Sequence, residues 1–163
     1  MPRCPLIPRV TAAVTDESEK IWRDIIIDHS QFPQRHGQLE HASHEGHGEN
    51  PFCGDRIHLQ MRIEASGSIS DVKYEASGCA ISLASASLLS SNLKGKDVQQ
   101  AQRLFKRVHE LLTGKSDQAN ADLGELEALG LIRQYPSRVK CATLAWHVMR
   151  HALKGDSELV TTE

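Results

Sequence analysis

Arg56-Ile57-His58-Leu59-Gln60-Met61-Arg62-Ile63-Glu64 is the stretch that decides the fold. Polar and apolar residues alternate without a break, which is the period of a strand with one face buried. Ser66-Gly67-Ser68 can turn the chain, and Ile69 to Ala76 then reads as a second strand carrying Ile69, Val72 and Tyr74. Together they predict a hairpin. Upstream, a further edge strand is expected around Gln38–His41. The remainder of 34–50 is rich in Gly and His and reads as a solvated loop. His36, His41, His44 and His47 raise the question of metal binding, because His-rich tracts often bind metal, but no regular spacing puts them on one face.

Helices flank the hairpin on both sides. Asp16 to Ser30 places Ile21, Trp22, Ile25, Ile26 and His29 at helical spacing, and Phe32-Pro33 ends it. After Ser77-Gly78 comes Cys79 to Leu89, dense in small residues that let a helix pack closely. Asp97 caps a third helix running through Leu104, Phe105, Val108, Leu111 and Leu112 to Gly114. Residues 115–136 read as an insert with an apolar face of Leu123, Leu126, Leu129 and Leu131. Ser137 to Leu153 is the last helix. The order of helix, antiparallel strands and helices predicts an α+β class. The expected organisation is a tail over 1–15, one domain over 16–154, and a second tail over 155–163, both tails disordered.

The whole chain sets limits on function. Its 163 residues suit one domain, and 39% hydrophobic residues can fill a core that is mostly aliphatic, because aromatics are only 4%. A net charge of −2 with scattered Lys and Arg argues against a nucleic-acid partner. The apolar runs are too short to cross a bilayer. Prolines at positions 2, 5 and 8 interrupt any signal-like apolar core. The four cysteines, with no export signal, therefore fit a reducing, cytoplasmic setting in which metal binding or catalysis outranks disulfides.

Three of those cysteines sit in informative places. Cys53 and Asp55 flank Gly54 just before the strand, so a flexible turn can aim a thiol and a carboxylate at one point. Cys79 follows Gly78 at a helix start, where the dipole favours a thiolate. Cys141 lies in the second turn of the last helix. Three cysteines and one aspartate can close a tetrahedral zinc site. No CxxC pair is present, so buried free cysteines remain open on residue types alone. Cys4, among the N-terminal prolines, reads as incidental.

Asn50-Pro51-x-Cys53-Gly54-Asp55, Gly78-Cys79-Ala80-Ile81-Ser82-x-Ala84-Ser85-x-Ser87 and Arg138-x-Lys140-Cys141-x-x-Leu144-x-Trp146 resemble the motifs of the IscU/NifU family of iron–sulfur cluster assembly proteins. The resemblance runs over roughly 17–154. It implies a small three-stranded antiparallel sheet with helices packed on one face. Lys140 stands where the scaffold proteins commonly carry a histidine. The 115–136 insert, with its Gly124 to Leu129 run, resembles the SufU branch. That branch implies Zn²⁺ held by Cys53, Asp55, Cys79 and Cys141, and a zinc-dependent sulfurtransferase that takes persulfide sulfur from a SufS-type cysteine desulfurase. In the implied mechanism a desulfurase histidine replaces Cys53 on zinc, and the freed Cys53 attacks the outer sulfur. Downstream iron–sulfur assembly proteins would receive it. Arg138 and Lys140 are candidates for steering the partner or the persulfide, against the plainer reading of a solvated helix face. The competing functional readings are a scaffold that builds a [2Fe–2S] cluster, or holds iron, on the same cysteines, and a structural zinc domain used only for interaction.

Overall fold

The computed structural model describes residues 16–114, 123–156 and 158–161. The expected N-terminal tail, Cys4 and the first part of the insert lie outside them. In chain order the elements are α1 (Asp16–Gln31), β1 (His44–Asn50), β2 (Asp55–Ile63), β3 (Ile69–Ser77), α2 (Ala80–Leu93), α3 (Val98–Thr113), a 3₁₀ segment (Gly124–Gln134), α4 (Pro136–Leu153) and β4 (Val160–Thr161).

The hairpin forms as its alternation requires. Leu59 pairs with Tyr74 and Met61 with Val72 across β2 and β3, and all four are fully buried. The sheet, however, has four strands in the order β3-β2-β1-β4, antiparallel except for the parallel β1–β4 pair. This corrects the three-stranded antiparallel expectation in two places. The strand beside β2 is His44–Asn50, inside the supposed loop, and not Gln38–His41. In addition Val160–Thr161, within the stretch expected to be a tail, pairs with Gly48 and Glu49.

Packing explains why β1 hides from a hydrophobicity reading. Its inward positions are Gly46 and Gly48, and α4 lies almost on the backbone there. A Cβ on Gly48 would overlap the Val148 side chain, and one on Gly46 would crowd Val148 and Ala152. The usual inward aliphatic residues are thus supplied by the helix instead of the strand.

α2 and α4 cover one face of the sheet, while α1 and α3 pack outside them. α2 is buried on nearly every side, including Ser82, Ser85, Ser87 and Ser90, as expected of a central helix without an amphipathic stripe. Buried hydroxyls need partners. Ser85 Oγ donates to the Ala142 carbonyl at 2.6 Å and accepts from Trp146 Nε1 at 3.0 Å, which fastens α2 to α4. Ser87 Oγ lies 2.7 Å from His29 Nδ1, whose Nε2 meets Glu125 at 2.8 Å. That chain ties α1, α2 and the 3₁₀ segment together. The segment itself buries Leu126, Ala128, Leu129 and Ile132.

His147 on α4 is half-buried against Phe105 and His109 of α3, with ring centroids 5.5 and 5.9 Å away. Burial first, then the charges of His109, Arg150 and His151, hold its pKa below the ordinary histidine value. The unfolded chain therefore binds this proton at a higher pH than the folded one. Stability is full above the ordinary value and falls as pH drops through it. His147→Gln should lose less melting temperature than the parent between about pH 7.5 and about pH 5.5. Equal losses in thermal melts would contradict this account.

Candidate metal centre

The site is built where the β1–β2 turn meets the starts of α2 and α4. Asn50 and Asp55 pair across the strand ends, leaving Pro51, Phe52, Cys53 and Gly54 as the loop. Asn50 organises that loop. Its carbonyl accepts from Cys53 N–H at 3.2 Å and Gly54 N–H at 2.8 Å, and its side-chain oxygen accepts from Phe52 N–H at 3.2 Å. Gly54 closes the turn at φ 72°, a left-handed conformation that favours glycine. Phe52 is left 80% exposed at the tip, and Cys53 beside it is half-exposed.

Asp55, two residues on, points into the protein and is fully buried. Its Oδ1 accepts from Cys79 N–H at 2.9 Å, and its Oδ2 faces the Asn50 amide at 3.4 Å. Gly78 makes the first contact attainable. It sits at φ 140°, and a Cβ there would overlap Asp55 Oδ1. Cys79 is the N-cap of α2, with its sulfur accepting from Ser82 N–H at 3.5 Å. The positive end of the helix dipole therefore faces this sulfur.

Cys141 lies fully buried beneath the loop on α4. Its Sγ is 3.2 Å from Cys53 Sγ and 3.5 Å from the Asn50 amide. Burial pushes its thiol well above the ordinary value, reinforced by hydrogen bonding to Asp55 and Cys53 and by the charge and hydrogen bond of Cys79. The structure thus brings Cys53, Asp55 and Cys141 together, with ligand atoms within 4.8 Å of one another. Cys79 stands just outside that set, in contact with Cys141.

This donor set fits zinc. Two sulfurs and a buried carboxylate lie within 4.8 Å of one another, the Cys79 sulfur stands beside them, and backbone and amide donors surround the group. A buried carboxylate is costly unless it is hydrogen-bonded or bound to a cation, and soft thiolates select zinc or iron–sulfur clusters. Arg138 reaches in from the first turn of α4, with Nη1 3.6 Å from Cys53 Sγ. A hydrogen bond to Cys141, and then the electrostatic influence of Cys53, Cys79 and Cys141, hold its guanidinium further in the charged form. Lys140 is exposed and lines a shallow hollow with Pro51, Phe52 and Ser137, beside the loop. Asn50 stands in the sequence only as part of the Asn50-Pro51-x-Cys53-Gly54-Asp55 motif, with no role expected of it there. Asn-Pro at a strand end is a known turn-initiating pair and was the available signal.

The NifU-like N terminal domain family matches residues 21–154. The chain is 38% identical over 131 residues to a Bacillus subtilis protein named zinc-dependent sulfurtransferase SufU, covering 80% of this chain and 88% of that one. It is 34% identical over 134 residues to a Streptococcus pyogenes protein named iron–sulfur cluster assembly scaffold protein IscU, covering 82% and 83%. A crystal structure from Fervidobacterium islandicum, described as a putative iron–sulfur cluster assembly scaffold protein for the SUF system, superposes with a TM-score of 0.75 at 33% identity. That superposition covers 83% of this chain and 98% of the other. Among the described residues no helix is long and apolar enough to cross a membrane.

Proposed function

Because the chain belongs to the family of NifU-like N-terminal domains, we propose that it works in iron–sulfur cluster assembly as a zinc-dependent sulfurtransferase that takes persulfide sulfur from a SufS-type cysteine desulfurase. The observation that carries this reading is the setting of Cys53. Cys53 is half-exposed on the β1–β2 loop, its sulfur 3.6 Å from the Arg138 guanidinium, whereas Cys141 is fully buried. Cys53 can be reached by a second protein and has a cation at hand to stabilise its thiolate.

Zinc bound by Cys53, Asp55, Cys79 and Cys141 would keep the thiols deprotonated and in one geometry without adding redox chemistry. In the transfer step the Cys53 thiolate attacks the outer sulfur of the desulfurase persulfide. A new sulfur–sulfur bond forms on Cys53, the old one breaks, and the desulfurase cysteine leaves as a thiolate. No net oxidation is needed. Asp55 stays buried and keeps the turn docked to Cys79. Arg138 balances the negative charge that passes between the two thiolates. Phe52, with Lys140 beside it, offers the partner an apolar tip and a cation. Such a partnership belongs in the cytoplasm, where thiols stay reduced.

The nearness of three cysteines also suits the second reading, a scaffold for a [2Fe–2S] cluster. One experiment separates the two. The protein is purified anaerobically, its metals are counted, and it is added to a SufS-type desulfurase with cysteine. The proposal expects about one zinc per chain, on the basis of a closed four-ligand site, no visible-light absorption, and faster alanine release. A stable coloured cluster that passes to an acceptor, with no stimulation of the desulfurase, would overturn it in favour of the scaffold.

A further inference from the structure

A second group of metal-ligating side chains lies on the other face of the sheet. His47 on β1 is directly opposite His58 on β2, and Glu45 is two residues from His47 on the same strand. Side chains two apart on a strand share a face. The His47 and His58 rings stack with centroids 4.1 Å apart and planes 8° from parallel. His58 Nε2 is 3.2 Å from Glu45 Oε2. One ligand atom from each of the three lies within 4.8 Å of the others. Glu75 is opposite His58 on β3. It lines an open hollow of about 570 Å³ together with His36, His47 and His58.

This group is separate from the cysteines. Asp55 and His58 are three apart on β2, so they project from opposite faces, Asp55 inward and His58 toward solvent. The donor chemistry differs as well. Two imidazoles and a carboxylate suit zinc, cobalt or ferrous iron, and hard cations such as magnesium prefer all-oxygen sets. Tetrahedral bonds of about 2.0–2.2 Å need donors roughly 3.3 Å apart. Glu45 and His47 are exposed and His58 is half-exposed, so side-chain rotation can close the gap with the strands in place. The strand pairing fixes which groups face each other, which a solvated loop would not do.

We propose that Glu45, His47 and His58 form a second site for a divalent transition-metal ion, with solvent completing the coordination. The chain then carries one thiolate-rich site and one imidazole–carboxylate site on opposite faces of a single sheet.

Cobalt tests this without reference to activity, because thiolate ligation gives intense near-ultraviolet charge-transfer bands and imidazole–carboxylate ligation does not. The reduced, metal-free full chain is titrated with Co²⁺ by equilibrium dialysis and absorption. The expected result is two equivalents, only one of them accompanied by thiolate bands. The double substitution His47→Ala, His58→Ala should keep the thiolate bands and the thermal melt, and should weaken the second equivalent by at least about tenfold. A parent that binds a single equivalent would overturn the proposal. So would a double variant that binds both equivalents as tightly as the parent. Failure of the thiolate bands alone would count against the cysteine site and leave this one standing.

Discussion

Replacing Cys53 by alanine is expected to reduce sulfur uptake from the desulfurase on the order of a hundredfold or more, because removal of a nucleophile leaves only binding to assist the reaction. The fold should survive. The Cys53 side chain is half-exposed on a four-residue loop whose backbone bonds run to Asn50 and do not involve the sulfur. Cys141 cannot substitute for it. That sulfur is fully buried, and its thiol is pushed up by burial and by its neighbours. Zinc affinity should weaken, since one of four ligands is lost, but the thermal melt of the metal-free protein should match the parent. Persulfide labelling after incubation with desulfurase and cysteine checks the first part, and calorimetry checks the second. Uptake at the parental rate would show that another thiol is the acceptor.

Gly78→Ala is expected to be the most damaging single-methyl change near the site. The residue sits at φ 140°, where side-chain-bearing residues are strained, and the added Cβ would overlap the Asp55 carboxylate. Backbone strain of this kind costs ~1–3 kcal/mol. Displacing Asp55 also breaks its 2.9 Å hydrogen bond from Cys79 N–H and disturbs a buried carboxylate. Losing such a bond costs a further ~1–3 kcal/mol. A destabilisation of about 3 kcal/mol in urea unfolding of the metal-free chain is therefore expected, together with weaker zinc binding. The control is Gly67→Ala, at φ 89° with open space around the added methyl. It should show backbone strain but no effect on metal. A Gly78 variant with parental stability and parental zinc binding would mean that the Asp55–Cys79 contact does not hold the site together.

Several of these features were legible before the structure, for identifiable reasons. The β2–β3 hairpin was readable because Ile57, Leu59 and Met61 alternate with polar residues and meet partners that do the same. The ends of α3 were readable because Asp97 and Gln100 form a reciprocal cap and Gly114 takes the left-handed conformation. β1 was not readable, because its buried positions are glycines that admit α4, and glycine carries no hydrophobic signal. β4 was not, because two residues paired to the sheet edge leave no periodicity.

At the site, residue types made Cys53, Asp55, Cys79 and Cys141 candidates and the family resemblance implied them as the ligand set, and the structure brings the first two and the last within 4.8 Å of one another. The part played by Asn50 was hidden. It is fully buried between Asp55 and Cys141, and only three-dimensional proximity reveals that its amide faces both. Arg138 and Lys140 looked equivalent on one helix. They are not, because Arg138 points at the sulfurs while Lys140 flanks the exposed loop. The Glu45–His47–His58 group was invisible for the same reason as β1. Without the strand, the histidines of this stretch had no shared face.

The central claim is that Cys53 accepts sulfur. It is tested most directly by intact-protein and peptide mass spectrometry after the reduced, zinc-loaded chain has been mixed with a SufS-type desulfurase and cysteine. The account predicts a gain of one sulfur atom, located on the peptide that contains Cys53 and removed by a mild reductant. Sulfur found instead on Cys79 or Cys141, or no gain while the desulfurase itself becomes persulfidated, would contradict it.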